Sequence, residues 1–189
     1  NDELVANWGN LVNRVLVNAH RNFGEVPPAG PLTERDQEVL KQISNGFDIV
    51  GGLIEKASFQ QAIKEALRLS SLANTYLADE QPWHTIKTDR ERAGTVLNVG
   101  LRLVDALKVV FTPFLPFTSQ QLHEMLGHGG HLAGPLEFRQ VEEEGGKQHR
   151  VLTGDYASWT GTWGPPELPA GQKLQEPRPL FKKLELAVD

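Results

Sequence analysis

Asn7, Asn10, Arg14, Asn18 and Arg21 recur at intervals of three or four residues, so on a helix they project from one side. An ordinary solvent face would be built from Glu and Lys. Asn is a mediocre helix former, costing roughly half a kcal/mol against Ala, and together with Asn13 four of them fall within one helix interior. That choice points to a need for amide hydrogen bonding. Asn presents a donor and an acceptor side by side, and Arg presents a planar fork, which together suit the polar edge of a flat ligand. They suit neighbouring backbone and an adjoining loop as well, and spacing alone leaves both open.

Trp83 stands in Glu80-Gln81-Pro82-Trp83, directly after a helix end. There the indole either stands at the surface as a flat platform, on which an unpaired base stacks with ~1–3 kcal/mol, or packs across the loop. Trp8 differs, because it sits on an apolar stripe and is expected in the core. His123, His128 and His131 gather near a Gly-rich turn, but no carboxylate or thiol completes a ligand set at metal spacing, so no metal is assigned. Glu142-Glu143-Glu144 reads as a solvated turn. Nothing in the chain looks like a phosphate-binding glycine loop, a dinucleotide fingerprint, a nucleophile elbow or a zincin helix, so no catalytic residue is assigned.

The elements that must position these residues are helical. Leu4, Trp8, Leu11, Val12, Val15, Leu16, Ala19 and Phe23 mark an amphipathic first helix from Asn1 to about Phe23, punctuated by Gly24 and Pro27-Pro28. Thr33 to Asp36 resembles a capping box opening a second helix to about Ala57, weakened in its middle by Gly46 and Gly51-Gly52. Ser58 to Gln61 reads as a further capping box for a third helix that ends before Pro82. Thr88 to Glu91 caps a fourth, running to Pro113, and a short fifth covers Thr118 to Gly127. The expectation is an all-α fold, a helical bundle of about five helices over 1–127. A Gly-rich, acidic insertion over 128–162 carries a hairpin around Glu144-Gly145-Gly146-Lys147, and a Pro-rich extended tail covers 163–189, with Leu180 and Phe181 as its anchor.

The chain has 189 residues, which suits one main unit with a real core. Hydrophobic residues at 39% and charged residues at 23% are the mixture of a globular protein, and no apolar run approaches a membrane span. The absence of cysteine excludes disulfides and thiolate chemistry and suits a cytoplasmic protein. A net charge of -5 argues against general binding to phosphate backbones, so any nucleic acid must be held by a few specific contacts. The chain opens at Asn1-Asp2-Glu3 with neither an initiating Met nor a leader, as a boundary inside a longer protein would.

The opening Asn1-Asp2-Glu3-Leu4-Val5-Ala6-Asn7-Trp8-Gly9-Asn10-Leu11-Val12-Asn13-Arg14 resembles the start of the anticodon-binding domain of methionyl-tRNA synthetases, where an Asn-x-Leu-x-x-Asn-x-x-Gly-Asn-Leu-x-x-Arg pattern opens the bundle. Pro82-Trp83 resembles that family's Pro-Trp element. Leu168-Pro169-Ala170-Gly171-Gln172 through Pro179-Leu180-Phe181-Lys182-Lys183-Leu184-Glu185 resembles its closing tail. Leu132 to about Ser158 matches no part of the pattern.

The resemblance implies recognition of the CAU anticodon of methionine tRNA, initiator and elongator alike. Asn10 and Arg14 would then hydrogen-bond anticodon bases and Trp83 would stack on them. Asn18 and Arg21 are expected near the RNA backbone from their place on the same helix face, not from a family motif. The resemblance also implies a parent enzyme, a methionine-tRNA ligase, whose separate catalytic domain uses ATP and Mg. The present residues lack that domain's signatures and would be inactive alone. The tail, through Leu180 and Phe181, would dock on that catalytic domain, leaving an exposed apolar patch where the domain is missing. Two other readings remain: the equivalent domain of a valine, isoleucine or leucine enzyme, which would prefer another anticodon, and a helical protein-interaction module without an RNA role, indifferent to Asn10, Arg14 and Trp83.

Overall fold

A helix enclosed on every side has no face to give to water, and most of Arg90–Phe111 is such a helix: from Ala93 to Phe111 every residue except Arg102 is buried. The other helices pack around it. The computed structural model describes residues 2–134, 137–143, 145–153 and 161–184, so Asn1, Glu144, Ser158 and Glu185 among the residues discussed above lie outside the described residues.

The helices are α1 (Asn10–Phe23), α2 (Glu34–Glu55), α3 (Phe59–Glu80), a single turn α4 (Pro82–Thr85), α5 (Arg90–Phe111) and α6 (Pro116–Met125). Five of them have ten residues or more, and the all-α bundle expected from the sequence is what forms. A two-stranded antiparallel sheet follows, β1 (Glu137–Glu142) with β2 (Gln148–Thr153), in register Phe138 to Leu152, with Gly145 and Gly146 at positive φ in the turn.

Helix boundaries follow local chemistry in two of three expected places. Thr33 Oγ1 accepts from the Asp36 amide at 3.2 Å while Asp36 Oδ2 accepts from the Thr33 amide at 2.9 Å, a complete capping box. Asp89 caps α5 by accepting from the Arg92 amide at 2.9 Å. The box expected at Ser58 to Gln61 does not form. Ser58 follows Ala57 at φ 54, and its carbonyl, rather than its hydroxyl, takes the amides of Gln61 and Ala62.

The expectation that glycines weaken α2 is corrected too. α2 runs unbroken through Gly46, Gly51 and Gly52, and two of these, Gly46 and Gly51, are sites of close approach. A Cβ on Gly46 would lie 2.4 Å from Leu69 Cδ1 of α3, and one on Gly51 would lie 2.8 Å from the indole nitrogen of Trp163. That indole donates to the Phe47 carbonyl at 2.9 Å, and its ring meets Phe47 edge-on at 5.3 Å, so the tail begins pinned to α2.

Further along, the extended tail pairs with the segment after α1. The Val26 amide donates to the Gln172 carbonyl and the Gly171 amide to the Val26 carbonyl, both at 2.8 Å, and Leu168 and Leu174 are buried. Leu180 and Phe181 then pack on the bundle's own core, and the Phe181 ring lies where a Cβ on Gly9 would come within 3.0 Å of it. Leu180 and Phe181 are thus half-buried against the bundle itself, and Leu184 close by is left 79% exposed.

Two buried charge clusters tie the helices together. Asp36, fully buried, accepts both guanidinium nitrogens of Arg92 (2.6 and 2.9 Å) and the Tyr76 hydroxyl (2.7 Å), and Arg92 reaches on to Glu80 at 2.7 Å. Burial would raise the Asp36 carboxyl, but the bonds from Arg92, Tyr76 and the Thr33 amide outweigh it and hold it at about 2.

The second cluster pairs Lys108 with Asp105, both fully buried on α5. Asp105 also takes His128 Nε2 at 3.0 Å, and Lys108 donates to His123 Nδ1 at 3.1 Å while His123 Nε2 meets the Gly129 carbonyl at 3.2 Å. Burial pushes the Lys108 ammonium below its ordinary value, with Asp105 opposing. Burial and then Lys108 push His123 down, which favours a neutral ring carrying its proton on Nε2. Two of the three clustered histidines thus fasten the end of α6 to α5.

Asp36→Asn should lower stability by about 2–4 kcal/mol, because it leaves Arg92 and Tyr76 short of a buried acceptor. The Asp36 carboxyl lies below its usual 3.8 in the folded chain, so its contribution is complete above that pH and is lost as pH falls through about 2. Urea unfolding at pH 7 and at successive acid pH values checks both, and the acid sensitivity should shrink in the variant.

Candidate nucleic-acid interface

Before α1 begins, Asp2–Gly9 form a π-helix instead of the regular α-helix expected over that stretch. Its i to i+5 bonding widens the turns, and the Leu4 carbonyl lies 3.0 Å from where a Cβ on Gly9 would stand, which only glycine tolerates without displacement. Trp8 is buried as expected and stacks on Phe111 at 4.7 Å, which fixes the stretch against α5.

The polar face of the first helix then divides by role. Asn7 turns inward to α3: its Nδ2 donates to the Leu67 carbonyl (3.2 Å) and Ser71 Oγ (2.9 Å), and its Oδ1 accepts from Ser70 Oγ (2.9 Å) and Asn74 Nδ2 (3.0 Å). Asn18 Nδ2 donates to the Arg14 carbonyl at 2.7 Å, one turn back in its own helix. For these two the reading as bonds to neighbouring backbone and side chains is what forms. Asn10, Asn13 and Arg21 are exposed, and Asn10 has no side-chain hydrogen bond among the described residues.

Trp83 lies on the one-turn α4, started by Pro82 after Gln81 takes a left-handed conformation at φ 45. The ring is half-buried, one part packed on the core and one part open. The Arg14 guanidinium lies 4.2 Å from the ring centroid, a cation–π contact, and it forms no ion pair with a carboxylate among the described residues. Asn10, Arg14 and Trp83, 69 positions apart in sequence between the last two, therefore share one face, with a cation, a planar ring and a free amide directed outward.

Beside them a shallow groove of about 500 Å³ runs between the start of the first helix and α3, lined by Glu3, Ala6, Asn7, Asn10, Arg14, Ser71, Asn74, Thr75 and Ala78. The α3 side of this groove was not read from the sequence. Ser71, Asn74, Thr75 and Ala78 do recur at helical spacing and could have been noticed as a second small, polar face. The histidine cluster and Leu180–Phe181 lie elsewhere, and the described residues hold no group of three or more side chains arranged for a metal ion. None of the described helices is long and apolar enough to cross a membrane.

The sequence profile described as the anticodon binding domain of methionyl tRNA ligase matches residues 26–140. The chain belongs to this family. As a methionyl-type anticodon-binding domain it is 56% identical over 185 residues to a methionine–tRNA ligase of Chloroflexus aurantiacus, and 47% identical over 188 residues to one of Roseiflexus castenholzii. Those alignments cover 98% and 100% of this chain but 31% and 32% of the relatives, so the chain spans about a third of their length.

The fold resembles Mycobacterium tuberculosis methionyl-tRNA synthetase in its apo form, with a TM-score of 0.76 at 20% identity over 97% of this chain and 33% of that one. The same enzyme in complex with methionyl-adenylate gives 0.75 at 21% identity, over 96% of this chain and 31% of that one. The family profile takes in Trp83 but begins after Asn10 and Arg14; of those two, Arg14 is the one in contact with the indole, and Asn10 lines the adjoining groove with Arg14.

Asn7→Ala should destabilise this domain by about 1–3 kcal/mol, since Ser70 and Asn74 lose their acceptor and the entry helix loses its tie to α3. Thermal melting of the variant beside Asn10→Ala separates the two roles, because Asn10 makes no such bond and its loss should leave the melting temperature nearly unchanged.

Proposed function

We propose that this anticodon-binding domain reads the CAU anticodon of methionine tRNA, initiator and elongator, on the face formed by Asn10, Arg14 and Trp83. The observation that supports it is the Arg14 guanidinium held 4.2 Å above a half-open indole, with the free Asn10 amide one helical turn away. Anticodon bases are unpaired, so they can splay onto such a face without the opening of a duplex, stack on the ring and offer their edges to the amide and the fork. Arg14 covers the indole in the absence of RNA, and a base stacking there takes its place or stacks on the guanidinium plane. With Asn18 spent on its own helix, Arg21 is the more available contact to the RNA backbone.

The parent protein on this reading is a cytoplasmic methionine–tRNA ligase that joins methionine to its tRNA at the expense of ATP. ATP and Mg act in a catalytic domain outside these residues, and this domain alone is inactive in aminoacylation. The tail beyond Phe181, where Leu184 is exposed, is the part directed to that domain.

Titration with a fluorescent CAU stem-loop, beside a loop changed at the first anticodon base, tests the proposal. The chain should prefer CAU, and Trp83→Ala should weaken that binding by ~1–3 kcal/mol. Equal binding of both loops, unaltered by the substitution, contradicts it.

A further inference from the structure

The groove beside Trp83 has a chemistry of its own. Its floor is fixed by the Asn7 network: Asn7 spends its amide on α3, and Asn74 Nδ2 spends its donors on Asn7 and on the Ser70 carbonyl at 3.2 Å. Its walls remain unsatisfied among the described residues. Asn10 has both donor and acceptor free, the Asn74 side-chain oxygen accepts no bond, and Thr75 Oγ1 donates to the Ser71 carbonyl at 3.1 Å but accepts nothing. Glu3 adds a carboxylate without an ion pair at the rim, and Arg14 the one cation.

This pattern selects against phosphate. A phosphate finds a single fork there and meets Glu3 as a like charge, together with oxygen acceptors it cannot use. It fits a neutral, flat group that brings N–H donors to the α3 wall, which is what the exocyclic amino group of cytosine or adenine supplies. Ala6 and Ala78 contribute only methyl groups to the lining of this groove of about 500 Å³, and Arg14 belongs both to it and to the Trp83 stack.

We propose that the groove between the start of the first helix and α3 is a second nucleobase subsite, taking an amino-bearing base between Asn10 on one wall and Thr75 with Asn74 on the other. It rests on the anticodon reading above and extends it: one base stacks at Trp83, and a neighbouring base is read in the groove. Thr75 and Asn74 become specificity-determining residues that accept from the amino group. Asn7 is a positioning residue that holds the floor still.

The test uses the whole 189-residue chain and CAU stem-loops in which adenosine is replaced by purine riboside, or cytidine by the 2-pyrimidinone riboside; each removes one amino group alone. Thr75→Val deletes the acceptor and keeps the shape, and Ala78→Phe fills the groove from an exposed position, with circular dichroism melts confirming that both fold. Thr75→Val should weaken the CAU loop by about 3–10-fold, with no further loss on the loop that lacks the amino group it reads. Ala78→Phe should weaken the CAU loop by about 10-fold or more.

Wild-type affinity for both variants, while Trp83→Ala still weakens binding, overturns the subsite and leaves the anticodon reading standing. Losses from Thr75→Val and from each amino deletion that simply multiply also overturn it. If Trp83→Ala is without effect as well, the reading beneath it fails with it.

Discussion

α5 has almost no contact with water, and the other elements are arranged as they are because something must cover each of its sides. α1, α2, α3 and α6 pack around it, and its first turn is held from the neighbouring α4. That single constraint places the interface. Arg90 at the start of α5 donates to the Asn22 carbonyl at 2.6 Å and lies over Phe23, which fixes the end of α1 beside the α4 segment. At the other end Phe111 stacks on Trp8 and anchors the beginning of the first helix. With both ends of the first helix tied to α5, Arg14 in its middle falls over Trp83.

A helix buried on all sides must also satisfy whatever polar groups it carries. Asn98 donates to the Pro27 carbonyl at 2.8 Å, and Asp105 and Lys108 pair and recruit two histidines from α6 and the turn after it. The result is that the turn following α6 is fastened by charge and hydrogen bonding as well as by the buried Leu126. The tail uses the same end: the Gln172 side chain donates to the Leu126 carbonyl at 2.7 Å and the Gln175 amide to that of Met125 at 2.9 Å. The tail therefore runs from Trp163 on α2, past α6, to Phe181 on Gly9, strapping the bundle before it reaches anything outside it.

How far this was legible depended on range. The five longer helices, the Thr33 box and the hairpin turn rest on residues within a few positions of one another and appear in the sequence as periodicity and turn chemistry; the single turn α4 falls in a stretch that reads as a connection. Ser58 failed as a cap because its backbone angles are set by the left-handed Ala57 before it, which composition does not disclose. Gly46 and Gly51 looked like weak points because the side chains filling their space come from positions 69 and 163. Phe181 looked like an anchor for a missing domain because its seat, Gly9, lies at the opposite end of the chain.

The interface shows the same divide. That Asn10, Arg14 and Trp83 belong together came from their resemblance to a family motif, and their proximity required the fold. That Asn7 and Asn18 are structural could not be told from that of Asn10 by spacing, since all lie on one polar face and differ only in what stands opposite. Asn7 lies in the widened first turns and faces α3, Asn10 follows them at the rim of the groove, and Asn18 is held by the carbonyl of Arg14 in its own helix.

The most direct test of the account is a nitrogen-15 NMR titration of the chain with an unlabelled CAU stem-loop, following the indole signals of its four tryptophans and the side-chain amides. Saturable shifts of the Trp83 indole and the Asn10 amide are expected, while the indoles of Trp8 and Trp163, packed on Phe111 and Phe47, stay in place. Shifts confined to Trp163 or the hairpin, with Trp83 and Asn10 unmoved, would contradict it.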